Sequence, residues 1–160
     1  MNGTAYHVPY LALFGLLLMC PPAAALLIDD RSSGDARSAL GTSWRLVTDN
    51  VMGGVSRGGM QFATAAGRPC LRLTGTVSLE NNGGFVQVNL DLDRNGGDFD
   101  AGGYAGIELE LYGNGEPYNV HLRTADNWLV WQSYRAGFTA KPAWQSVRLP
   151  FSSFTPYRTS

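Results

Sequence analysis

The chain has 160 residues, room for one domain with a real core but not comfortably for two. A composition of 44% hydrophobic residues with 20 Gly and 8 Pro excludes a disordered chain. Twelve basic residues against thirteen acidic ones leave a net charge of −1, and no basic run occurs, which excludes the electrostatic footprint of a nucleic-acid binder.

The amino-terminal segment stands apart from the rest. Residues 11–19, LALFGLLLM, are an uninterrupted apolar run, and Pro21-Pro22-Ala23-Ala24-Ala25 supplies small residues suited to cleavage after Ala25. Residues 1–25 are therefore expected to form a signal-peptide helix, and the protein to be exported, periplasmic or secreted. No Lys or Arg precedes Arg31, against an Arg-rich mitochondrial transit peptide. The competing expectation is a membrane anchor over residues 11–28, barely long enough to span and broken by the proline pair, and membrane contact is expected only through that uncleaved segment. Cleavage would remove Cys20 and leave Cys70, which can form neither an internal disulfide nor a cysteine zinc site. Cys70 opens an alternating run and is expected to be a small buried side chain.

Residues 26–43 read as a polar leader, and from Trp44 onward period-two patterns dominate. Leu71, Leu73, Val77 and Leu79 alternate with polar residues, the pleat of a half-buried strand. The pattern recurs in Val86, Val88, Leu90 and Leu92, in Ile107, Leu109 and Leu111, in Tyr118, Val120 and Leu122, and in Val147 and Leu149. Asn81-Asn82-Gly83-Gly84, Asn95-Gly96-Gly97 and Gly113-Asn114-Gly115 punctuate these runs as turns. Short strands at such spacing, with no helical period, predict an all-β, antiparallel β-sandwich or jelly roll. Trp44, Trp128, Trp131 and Trp144 lie in or beside strands, where core or strand-edge packing is expected.

The densest glycine run is Asp49-Asn50-Val51-Met52-Gly53-Gly54-Val55-Ser56-Arg57-Gly58-Gly59. A Walker loop needs a Lys after its last Gly and a helix behind it; neither is present. Ser56 has the Gly-x-Ser-x-Gly spacing of a nucleophile elbow, but an elbow joins a strand to a helix, and His121 falls on the outward period of its strand.

The segment 44–58, WRLVTDNVMGGVSRG, resembles the signature W-x-x-V-x-D-x-V-M-G-G-V-S-x-G of the complex I intermediate-associated protein 30 family. Segments 75–85 (GTVSLENNGGF), 118–124 (YNVHLRT) and 144–154 (WQSVRLPFSSF) agree with it in order. The resemblance covers about residues 44–158. It implies a galactose-binding-like jelly roll, and a non-enzymatic assembly or chaperone-type role carried out by binding a protein partner. Its motif residues here are Trp44, Asp49, Met52, Gly53, Gly54, Ser56, Gly83, Gly84 and Phe85. In that fold Gly53 and Gly54 are expected to turn the chain sharply, Met52 to fill a gap beneath, and Asp49 to brace the corner by accepting from the turn's amides. A recognition surface on the same loop is the other reading. The family pattern continues into further strands, so the domain over residues 44–160 is expected to be incomplete.

Two further constellations carry expectations. Asp91, Asp93 and Asn95 place oxygens at the first, third and fifth positions of a calcium-type loop, with Gly102 where the bidentate Glu of an EF-hand would stand. A looser calcium loop competes there with a solvated acidic turn; no other cofactor is expected. Asn119, His121 and Arg123 share a polar strand face, and Glu108 and Glu110 share another. Cross-strand charge pairs between neighbouring strands are one explanation. The other is a carbohydrate-binding face completed by Trp128 or Trp131. No coupled nucleophile and base is present, so no enzyme is expected.

Overall fold

A computed structural model describes residues 25–158. The expected signal-peptide helix, the apolar run of the alternative anchor and Cys20 lie outside the described residues.

Nine strands follow one another: β1 (Arg45–Thr48), β2 (Arg57–Ala65), β3 (Arg68–Thr76), β4 (Val86–Asn89), β5 (Gly106–Leu111), β6 (Pro117–Leu122), β7 (Ser133–Thr139), β8 (Gln145–Pro150) and β9 (Thr155–Tyr157). The helical pieces among the described residues are short 3-10 turns at Asp49–Met52, Glu80–Asn82 and Phe151–Ser153. All pairings are antiparallel, in ladders β1–β4, β2–β3, β5–β8 and β6–β7–β9. The all-β antiparallel class expected from the alternating runs is therefore the class observed.

Local chemistry explains several elements. In β5, Ile107, Leu109 and Leu111 turn inward while Glu108 and Glu110 stay exposed, as the two-residue period requires. The β2–β3 hairpin turns on Ala66 (φ 44°) and Gly67 (φ 80°), two left-handed residues between paired Ala65 and Arg68, a connection whose twist matches its strands. Trp144 ties this hairpin to β8: its indole Nε1 donates to the Ala65 carbonyl at 2.8 Å, and Arg68 stacks 4.1 Å above its ring. A Cβ at Gly58 would stand 2.5 Å from Val86 Cγ1, so glycine lets the β1–β4 ladder lie close on β2–β3. Ala136, Ala140 and Leu149 are the buried apolar residues among the described residues. The core is thus small, with half-buried strand residues around it.

The leader is tied to the domain at several points. Trp44 Nε1 donates to Asp29 at 2.5 Å, the Arg94 guanidinium donates to the Leu40 carbonyl, and the Arg31 guanidinium lies 5.3 Å from the ring centroid of Phe62 in β2; within the leader the Ala39 amide donates to the Ile28 carbonyl at 3.0 Å.

Three expectations need correction, and the condition set on a fourth is not met. The strand through residues 71–79 ends at Thr76, because the Ser78 amide turns away to donate to Ser56 Oγ; Val77 and Leu79 are left in solvent. β4 ends at Asn89, so Leu90 and Leu92 are half-buried outside a strand. Cys70 is half-buried rather than buried. Strands β5 and β6 are not ladder neighbours: Glu108 pairs with Arg148 opposite it in the β5–β8 ladder, and Glu110 with Arg68, each at 3.3 Å. Alternation defines a strand's faces but carries nothing about which strand lies beside it.

Candidate functional site

The glycine run builds a braced corner. After β1 the chain makes the 3-10 turn Asp49–Met52 and is stopped by Gly53 at φ 89°, a left-handed position glycine reaches without strain. Gly54 follows with its backbone pressed on Asp49, whose carbonyl accepts its amide at 2.9 Å. Asp49 is 0% exposed and Ser56 1%. The Asp49 carboxylate accepts from the Ser56 amide (2.9 Å) and the Ser56 hydroxyl (2.5 Å). It also accepts from the Gly84 amide (2.6 Å) and the Phe85 amide (3.4 Å), while the Asp49 amide donates to the Phe85 carbonyl at 3.2 Å. Ser56 Oγ in turn receives the Ser78 amide at 2.9 Å. With its amide nitrogen turned toward the acceptors around it, Asn50 donates to the Ser56 carbonyl at 2.8 Å.

One carboxylate therefore knots together two loops more than thirty residues apart. A buried anion persists only where donors surround it, and here they do. Burial pushes the Asp49 carboxyl toward neutrality; the hydrogen bonds from the Ser56 hydroxyl and from the Gly84, Ser56 and Phe85 amides outweigh it and hold the group below the usual carboxylate range. Glycine is required on both sides of the knot. A Cβ at Gly54 would lie 2.5 Å from Asp49 Oδ1, and one at Gly83 would overlap Oδ2.

The brace has no free nucleophile. The Ser56 hydroxyl is spent on Asp49 and Ser78, out of reach of solvent. What the corner offers instead is a surface. Val51 (76% exposed), Met52, Val55, Val77 and Leu79 (81%) all project from the two knotted loops. Met52 thus does not fill a gap beneath the corner; the 3-10 turn carries it outward and Asp49 occupies the interior. The sequence reading missed Val51, Val55, Ser78, Val77 and Leu79. The signal available was the Ser-Leu-Glu-Asn-Asn-Gly-Gly stretch, whose turn residues cut the preceding strand short.

The remaining candidate residues are distributed as follows. Asn119 and His121 lie on the exposed face of β6, and Arg123 follows the strand end. His121 Nδ1 meets Ser133 Oγ at 2.8 Å, and its ring stands edge-on to Tyr157 at 5.3 Å. Trp128 and Trp131 are not strand residues; they project from the loop between β6 and β7. Asp91 pairs with Arg45 at 2.8 Å, and the Asp93 carboxylate accepts from the Asn95 and Gly97 amides, both at 3.1 Å. Their oxygens serve the loop's own turn and an arginine, and among the described residues no three His, Cys, Asp or Glu side chains form a metal-holding group.

The family comparison matches Complex I intermediate-associated protein 30 over residues 35–160. No curated protein and no solved structure is significantly similar to the chain. The matched span holds all nine strands and both loops that Asp49 joins. By that match, and by the signature segment whose Asp, glycines and Ser make the brace, the chain belongs to the complex I intermediate-associated protein 30 family.

Proposed function

We propose that the protein is a non-enzymatic binding module that assists assembly of a protein complex, gripping its partner with the braced corner. The observation that carries this reading is the pairing of a rigid polar knot, Asp49 with Ser56 and Gly84, with exposed apolar side chains on the loops it fixes. Rigid loops lose little entropy on binding, and exposed Val, Met and Leu side chains supply apolar area to bury. We assign the ladders to a galactose-binding-like jelly roll, supported by their wholly antiparallel pairing, and the protein to the exported class, supported by the apolar run at residues 11–19 and the small residues that follow it.

The test is quantitative co-purification of a tagged chain from its own cells, wild type beside Val51→Asp/Leu79→Asp. The double variant should melt as the wild type does, since both side chains are solvent-exposed, and lose the partner that the wild type retains. Identical co-purification profiles for the two chains, with both folded, would refute the assignment of the corner as the gripping surface.

A further inference from the structure

We propose that the loop between β6 and β7 docks this protein on an anionic lipid surface. Its tip, Trp128-Leu129-Val130-Trp131, is exposed at every position, with Trp128 at 90% and Val130 at 77%. Consecutive side chains on a loop point in different directions, so one flat partner face or one sugar ring covers only some of them. A fluid apolar phase surrounds them all. Tryptophan is the side chain that favours the boundary between headgroups and acyl chains, and here it brackets the aliphatic pair.

The turns that carry the tip are held by their own hydrogen bonds. At its start the Thr124 amide donates to Asn127 Oδ1 and the Asn127 amide to the Thr124 carbonyl, both at 3.0 Å. At its end the Leu129 amide donates to Gln132 Oε1 at 2.9 Å and the Gln132 amide to the Leu129 carbonyl at 3.0 Å.

Charge at the base selects the kind of surface. Arg123 opens the loop; Arg135 and Arg158 gather over the Tyr157 ring at 4.4 and 5.3 Å, at the same end of the β6–β7–β9 ladder. Among the described residues no carboxylate pairs with any of the three, and Asp126 is the single acid in the loop. An apolar tip beside three arginines that have no carboxylate partner among the described residues complements lipid phosphates above an acyl layer. None of these residues belongs to the Asp49 corner, so either proposal stands or falls without the other.

The test floats the full chain with vesicles of phosphatidylcholine alone and of an equal mixture with phosphatidylserine. Trp128→Ser/Trp131→Ser should lower partitioning at least about tenfold, while keeping the same apolar amino-terminal run and the same melt. Arg123→Gln/Arg158→Gln should weaken binding to the anionic vesicles about 30-fold and leave neutral ones unaffected. Brominated phosphatidylcholine should quench the wild-type indole fluorescence, a measurement that needs no variant. Equal flotation of wild type and the tryptophan variant, or no quenching, overturns the proposal. So does equal flotation combined with loss of self-association in the tryptophan variant, which assigns the tip to a second copy. Loss of a glycan-induced fluorescence change in that variant, with flotation intact, overturns it in favour of a sugar.

Discussion

Gly54→Ala isolates the packing of the corner. The new Cβ would sit 2.5 Å from Asp49 Oδ1 and 2.7 Å from Asp49 Cβ, so rotating the carboxylate cannot clear the overlap and the backbone must move. Overpacking of this kind costs about 1–3 kcal/mol. It also drags Asp49 away from the donors of Ser56 and Gly84, so the upper end of that range is expected. For a domain of this size the loss lowers Tm by about 4–12 °C. Gly53→Ala is the internal control: nothing lies within 4 Å of a Cβ there, and the strain is only that of a left-handed Ala, about 1 kcal/mol. Urea denaturation followed by tryptophan fluorescence measures both, with a shift of midpoint at constant m as the expected form. A Gly54→Ala variant within about 0.5 kcal/mol of wild type, or one less damaged than Gly53→Ala, refutes the close-packed brace.

Other consequences follow from single geometries. Ala66 holds φ 44° in the β2–β3 turn, so Ala66→Asn should raise stability by about 1 kcal/mol, and an unchanged urea midpoint speaks against the left-handed turn. Trp144→Phe removes the donor to the Ala65 carbonyl and should cost about 0.5–1.5 kcal/mol by the same assay; a neutral change shows that the bond contributes nothing. Burial, and then the Arg135 guanidinium across the ladder, push the His121 pKa below 6.5. The unfolded chain then takes up the proton first, so His121's contribution is intact above pH 6.5 and is lost as pH falls through the lower folded value. Melts stepped down from pH 7.5 should show that loss in the wild type and a flatter profile in His121→Gln; parallel profiles contradict it. Asp49 acts at more acid pH: its pKa is lowered from 3.8 in the fold, so its contribution is full above that value and disappears as pH drops through the folded pKa. Asp49→Asn, folded or partly folded, should lack this acid transition.

Sequence alone determined what local stereochemistry controls. Period-two runs placed Ile107, Leu109 and Leu111 on one face of a strand and Glu108 and Glu110 on the other, because a pleat alternates whatever lies beside it. Glycine at positions 53 and 54 marked a corner, because few other residues reach the left-handed region or tolerate so close a neighbour. The signature around Asp49 also sufficed to identify the family. What only the tertiary structure decided are the pairings between distant segments: β5 beside β8 rather than β6, β3 cut short where Ser78 turns to Ser56, and Asp49 reaching forward to Gly84 and Phe85. Those pairings in turn put Met52, Val77 and Leu79 in solvent, against their local pattern. The physical reason is range: pleat and turn are properties of neighbouring peptide units, whereas a buried carboxylate must find its donors wherever the folded chain brings them, and the loops that supply them are positioned to match.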